Sequence, residues 1–329
     1  MLANNINGGP MPGYVLAQWW HDAYYSADKV IDEMHSSGVQ YVEIVVTQYM
    51  HTLHSRGIYV DAQKTPTDDS VAHAISYIKK KGMTPILKPH VDLYSGDWRG
   101  DIGKYYSDQD WKDFFWNYTQ FITHYADLAA QHGATNIFNI GTELDTTEGH
   151  SDEWRQVIKA VRKELPSHTK ILYGCNWYPD VDAVNWWDAV DLIGVDAYYP
   201  LSKSTSPSLS ELKNSWKPIM DNLHKTSKKF GNKKIVFAEA GYASFKDAAK
   251  HPNQCCYGSN DNDLQAKLYQ AFFEEVWGQS WFGGVFWWDW DALKHDSDYY
   301  STNFDTLGKP AQSIYESYYK GHSMEDFLQ

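Results

Sequence analysis

Eight short β-rich runs alternate strictly with eight amphipathic helical stretches, and this alternation constrains the fold more than any other feature of the chain. The strand candidates are Tyr14–Trp20, Tyr41–Thr47, Thr84–Pro89, Asn136–Thr142, Lys170–Cys175, Leu192–Ala197, Lys234–Ala238 and Gly284–Trp288. Helical patterning falls near 26–37, 69–81, 108–132, 151–164, 183–189, 208–230, 262–278 and 309–320. Such alternation reads as βα units and a parallel sheet. A doubly wound open sheet also alternates, but it usually has fewer strands and opens on a Gly-rich turn, and no G-x-G-x-x-G follows the first strand here. The expected fold is therefore α/β, a (β/α)8 TIM barrel, in one domain spanning residues 1–329. That length holds a barrel of roughly 250 residues with elaborated loops. The longest irregular stretch, 248–262, is too short to divide the chain.

Local punctuation agrees. Ser26, Ser151 and Ser208 stand where helix N-caps belong, the last with Glu211 three residues on as a capping box. Gly38, Gly82, Gly133 and Gly231 each follow a helical stretch and precede a strand, the position of a left-handed C′ glycine.

Charge narrows the partners. A net charge of −13 argues against nucleic acid, because phosphate binding needs clustered Lys and Arg. The lysine runs at 79–81 and 228–234 read as solvated helix ends. No segment approaches the ~18 consecutive apolar residues of a membrane span. The first residues lack the layout of a signal peptide, so the expected compartment is cytoplasmic unless a leader has been removed. Asn117-Tyr118-Thr119 is a glycosylation sequon that matters only on a secretory route. Three cysteines make no disulfide framework, and unpaired thiols are the plainer reading of Cys175, Cys255 and Cys256. A monomer is expected. The unusual counts are 15 Trp and 24 Tyr, more than packing needs, which favours stacking surfaces for sugar rings.

In a barrel of this kind the active site is built at the C-terminal strand ends. Two of those ends carry glutamates after apolar runs: Glu143 in Asn136-Ile-Phe-Asn-Ile-Gly-Thr-Glu, and Glu239 in Ile235-Val-Phe-Ala-Glu. Either acid alone could be a helix N-terminal carboxylate favoured by the dipole. Strands four and seven face each other across the barrel, so the pair can meet. Two such carboxylates suit glycosidic cleavage, with retention at ~5–5.5 Å separation and inversion at ~6.5–9.5 Å. Tyr198, at the end of strand six, is placed to donate a hydrogen bond to a nucleophile, and Trp288 to floor the site. Trp287, of opposite parity, is expected to pack against helices.

The chain resembles the clan A glycoside hydrolases, and more closely family 113, whose characterised members are chiefly endo-β-1,4-mannanases. The likeness is carried by Trp19-Trp-His21, Leu87-Lys-Pro-His-Val-Asp92, Trp98-Arg-Gly-Asp-Ile102, Gly141-Thr-Glu-Leu144, Asn176-Trp177, Ile193-Gly-Val-Asp-Ala-Tyr-Tyr-Pro-Leu201, Glu239-Ala-Gly-Tyr242 and Gly284-Val-Phe-Trp-Trp288. This resemblance implies Glu143 as acid/base and Glu239 as nucleophile, no cofactor, and a mannan-type polysaccharide or oligosaccharide as substrate. The chain departs from the pattern at Val46-Thr-Gln-Tyr49, where Thr-Trp-Tyr is expected, and at Cys255-Cys256, which has no recognised counterpart.

The remaining substrate-binding candidates are Trp20, His90, Asp92, Trp98, Arg99, Asn176, Trp177, Asp196 and Trp288. His90 and Asp92 also alternate as a metal pair would, but a metal-dependent barrel hydrolase usually needs further His ligands at other strand ends. No metal is expected. Trp116, Trp154 and Trp186 lie in helical stretches and read as core.

Overall fold

The computed structural model describes residues 9–179 and 181–321. Its strands are β1 (Met11–Ala17), β2 (Tyr41–Met50), β3 (Thr84–Leu93), β4 (Ile137–Thr142), β5 (Lys170–Asn176), β6 (Leu192–Asp196), β7 (Ile235–Ala240) and β8 (Phe282–Asp291). They form one parallel sheet in the order β3-β2-β1-β8-β7-β6-β5-β4. The two ends of that order, β3 and β4, lie side by side at the seam, which makes a nearly closed (β/α)8 barrel.

Between the strands run α1 (Asp28–Ser36), α2 (Asp68–Lys80), α3 (Asp108–His132), α4 (Ser151–Glu164), α5 (Leu209–Lys229), α6 (Asn262–Glu275) and, after β8, α7 (Pro310–Tyr319). The helix expected at 183–189 is instead two 3-10 turns, Val181–Ala183 and Trp187–Ala189. The reason lies in two adjacent indoles. Trp186 and Trp187 are both fully buried, and each indole N–H donates to a carbonyl, that of Glu148 at 2.9 Å and that of Val181 at 2.8 Å. Trp186 also stacks on Trp154 at 5.1 Å, so this irregular segment covers the flank that a helix would cover.

The four glycines after helices take φ of +90°, +81°, +78° and +73°, as C′ positions require. Ser208 caps α5 by accepting from the Glu211 amide at 3.0 Å. Ser26 and Ser151 do not cap: α1 starts after Ala27, and Ser151 is already helical behind His150.

Strand alternation divides the apolar residues in two. One set points inward, with Val15, Ala17, Val45, Ile86, Ile137, Leu172, Leu192, Val236, Ala238 and Phe286 filling the barrel. The larger set packs the outer strand faces against the helices. Trp287 belongs to the outer set, its ring 4.1 Å from Tyr269 and 4.9 Å from Phe272 of α6. Trp154 and Trp186 are core, but Trp116 is not: it stands 66% exposed on the solvent face of α3. Cys255 and Cys256 are joined to each other by a disulfide, against the expectation of unpaired thiols, and Cys175 is buried outside that bridge. Among the described residues no helix is long and apolar enough to cross a membrane.

Candidate active site

Among the apolar filling of the barrel stand Glu43, Lys88 and Asp196, all fully buried, with Glu239 near the C-terminal end of β7. Glu143 and Glu239 arrive by different backbone routes. Glu143 follows β4 in the left-handed region, φ +51°, with its amide donating to the Gly174 carbonyl at 2.8 Å. Left-handed backbone is uncommon outside glycine and costs on the order of 1 kcal/mol or more, and such outliers cluster at functional sites. Gly141, two residues earlier, leaves the room: a Cβ there would lie 2.9 Å from the Tyr118 hydroxyl and 3.0 Å from the Tyr173 ring.

Glu239 needs a different device. Val236 and Ala238 face inward, so strict alternation sends Glu239 outward. On β6 one step, Val195 to Asp196, is matched by two steps on β7, Phe237 to Glu239, and the register against β8 slips in the same place. This bulge inserts one residue, so Ala238 and Glu239 both face the barrel interior. Bulges re-aim side chains beside active sites in this manner.

The two glutamates meet. One oxygen of each of Glu143, Asp196 and Glu239 lies within 4.8 Å of the other two. Arg99 reaches Glu143 Oε2 with Nη1 at 3.3 Å, holds Asp92 through its other terminal nitrogen, and is anchored by Nε on the Val91 carbonyl at 3.0 Å. Tyr198 donates its hydroxyl to Glu239 Oε1 at 2.9 Å, and Lys88 Nζ stands 3.4 Å from Glu239 Oε2. Burial pushes the Glu239 carboxyl up, with Lys88 pulling it down and the Glu143 charge adding to the rise. Asp145, two residues past Glu143, is raised to about 7 by burial and by the Glu143 charge.

A cavity of about 520 Å³ opens above the pair. His90, Trp98, Arg99, Asn176, Trp177, Tyr198 and Trp288 of the expected residues line it with Glu143 and Glu239. His90 is buried and stacks face to face on Trp288, with centroids 6.1 Å apart and planes 4° apart. Burial first, then Arg99 and Lys88, depress its pKa, so the imidazole is neutral.

Three expected residues are placed differently. Trp20 is 44% exposed and does not line the cavity; Trp19 does, packed 6.0 Å from Trp288 with its indole N–H on the Thr47 hydroxyl. β1 ends at Ala17, so Trp19 keeps the inward parity of Val15 and Ala17 and Trp20 turns out. Asp196 is fully buried beneath the glutamates rather than on the cavity wall. Asp92 is bound to Arg99 and also stands off the wall. His90 and Asp92 therefore serve different neighbours and do not converge as metal ligands.

Tyr178, Asn253 and Phe304 also line the cavity, and no sequence signal singled them out. They come from loops after β5, β7 and β8, whose course depends on tertiary packing. Glu43 and Lys88 were missed as well, although a charge in the middle of an apolar strand is a signal that could have found them.

Comparison with known proteins agrees with this architecture. A search of curated protein sequences finds no match. Among solved structures, a complex of a family 113 β-1,4-mannanase superposes with TM-score 0.85 at 26% identity, covering 95% of this chain and 99% of that one. The family 113 β-mannanase of Alicyclobacillus acidocaldarius, bound to ManMIm, superposes with TM-score 0.86 at 24% identity over 97% of this chain and 100% of its own. The Ruminococcus gnavus β-glucuronidase shares the fold alone, with TM-score 0.67 at 10% identity over 94% of this chain and 50% of that one. The sequence model of glycoside hydrolase family 113 matches residues 16–309. With a barrel, a facing pair of glutamates and a match over nearly its whole length, this chain is a glycoside hydrolase and belongs to family 113.

Proposed function

We propose that the protein is a retaining endo-β-1,4-mannanase that works by double displacement, with Glu239 as nucleophile and Glu143 as acid/base. The observation that carries this reading is the convergence of Glu143 and Glu239 to within 4.8 Å at the floor of one aromatic cavity. Oxygens of the two acids within 4.8 Å of one another fall on the side of the ~5–5.5 Å carboxyl separation of retaining enzymes, which supports attack by the carboxylate itself. The different surroundings of the two acids support their different roles. Glu239 takes a phenol and an ammonium, partners that stabilise an anion. Glu143 lines the same cavity beside Arg99, with its backbone in the left-handed region to aim the carboxyl.

In the first step Glu239 attacks the anomeric carbon while Glu143 protonates the departing glycosidic oxygen. In the second, Glu143 takes a proton from water, which displaces Glu239 and releases a sugar of the original anomeric configuration. Tyr198 holds Glu239 Oε1 and so fixes the orientation of the attacking carboxylate. Trp288, Trp19, Trp98 and Trp177 offer faces to the apolar sides of pyranose rings. Polysaccharide is the partner, and we expect the enzyme to act as a monomer without cofactor. Mannan is favoured over other β-linked glycans because the two family 113 β-1,4-mannanases that superpose at 26% and 27% identity are aligned over 94–95% of this chain.

Digestion of a panel of mannan, glucomannan, cellulose and xylan, with products separated by length, tests the substrate. Short mannooligosaccharides released from within mannan are expected. Preferential release from xylan or cellulose would assign another β-glycan specificity, and no hydrolysis of any polymer or aryl glycoside would leave a carbohydrate-binding barrel. Proton NMR of the first product made separates retention from inversion.

A further inference from the structure

Among the described residues Lys88 is the one cation in the buried layer under the candidate active site, and three acids share it. Its Nζ lies 3.4 Å from Glu239 Oε2, 3.6 Å from Glu43 Oε2 and 4.0 Å from Asp196 Oδ1. Lys88, Glu43 and Asp196 are all 0% exposed. At that depth an unpaired ion is costly to desolvate, so one ammonium balances one carboxylate well and three badly. Neither oxygen of Glu43 or Asp196 has a hydrogen-bond partner among the described residues, whereas Glu239 has Tyr198. The proton distribution follows. Burial pushes Glu43 up to about 8, so it holds its proton through the acidic range, and burial first, then the Glu239 charge, raises Asp196 well above the usual carboxylate range. Burial opposes the Lys88 charge, and the acids around it, Glu239 among them, favour the ammonium and raise its pKa. The other groups facing this layer are the neutral His90 on β3, Glu143 after β4, Tyr198 after β6, and Arg99 from the loop after β3.

We propose that Lys88 is a positioning residue that holds the nucleophile Glu239 as an anion, with Glu43 as the second acid that shares its ammonium in the barrel interior. This rests on the reading of Glu239 as nucleophile. Apolar layers fill barrels of this fold more cheaply than a Glu-Lys pair does. The pair is placed where its charge bears on one oxygen of Glu239, through the barrel interior rather than from the substrate side.

The test compares pH profiles of kcat/KM, whose acidic limb reports the base of the free enzyme. It uses the intact protein and three forms: wild type, Glu43→Gln, and the double variant Lys88→Met with Glu43→Gln, which removes both buried groups together and so leaves no new uncompensated pair. Glu43→Gln is expected to leave the acidic limb where it is, because it replaces a protonated acid by a neutral isostere. In the double variant the limb is expected to move to higher pH by about one unit or more, the size of shift that one close charge produces. A limb displaced in Glu43→Gln, or unmoved in a double variant with native near-UV circular dichroism, would overturn the proposal. If the double variant does not fold, Lys88→Met alone is read on the same limb, an upward displacement being expected and an unmoved limb overturning the proposal. Labelling the wild type with 2-deoxy-2-fluoro-mannosyl fluoride and mapping the modified peptide keeps the two readings apart. Label on Glu239 with an unmoved limb defeats only the role of Lys88, whereas label elsewhere defeats the assignment of the nucleophile.

Discussion

At the scale of single residues, the two glutamates show how much chemistry depends on one backbone step. Glu143 is aimed by a left-handed residue and Glu239 by a bulge, and neither is a feature of sequence periodicity. Carboxylates that end apolar strands were nevertheless conspicuous, so the pair was legible. The supports were only partly so. Tyr198 was found from its position at a strand end, while Lys88 and Glu43 sit mid-strand, where attention to strand ends passes over them. Trp19 and Trp20 could not be told apart without knowing that β1 ends at Ala17. Tyr198→Phe removes a hydrogen bond to a buried charge, which is typically worth ~1.5–3 kcal/mol. A fall in kcat/KM of about 10–100-fold is expected with an unchanged fold, and wild-type kinetics would deny Tyr198 its hold on Glu239.

At the scale of elements, the eight strands and most helices follow from periodicity, because a parallel sheet buried on both faces leaves short apolar runs between amphipathic helices. The failure between β5 and β6 is instructive. That connection has two indoles whose N–H groups find backbone carbonyls, and tertiary satisfaction outweighs helical patterning over a stretch of seven residues, too short to nucleate well alone. Close strand approach is equally specific. A Cβ on Gly194 would lie 2.2 Å from the Tyr173 carbonyl oxygen, so Gly194→Ala must push β5 and β6 apart directly beneath Asp196. Overpacking of this kind costs ~1–3 kcal/mol, and a lower urea midpoint is expected together with reduced activity. An unchanged midpoint would mean that the β5–β6 spacing is more forgiving than the geometry indicates.

At the scale of the whole molecule, buried acids tie stability to pH. Burial is the leading cause that raises Glu43 to about 8, Glu148 to about 8 and Asp145 to about 7, with neighbouring acid charges adding to each. Each binds a proton more tightly folded than unfolded, so its contribution is fully present below the ordinary carboxyl range and is lost as pH rises through 7 to 8. Thermal midpoints are therefore expected to decline from about pH 5 to pH 8.5, and to decline less steeply in Glu148→Gln. A wild-type midpoint that climbs over that interval would contradict the protonated state of these groups. These pKa values could not be foreseen from composition, because they depend on which acids the barrel buries together.

The assignment of Glu239 and Glu143 is tested most directly by the kinetics of Glu239→Ala with and without azide. Activity on mannan and on an activated aryl mannoside is expected to fall by several orders of magnitude. Azide should restore turnover of the aryl mannoside as a glycosyl azide of inverted anomeric configuration, because the anion fills the space left by the carboxylate. Wild-type activity in Glu239→Ala would contradict the account outright.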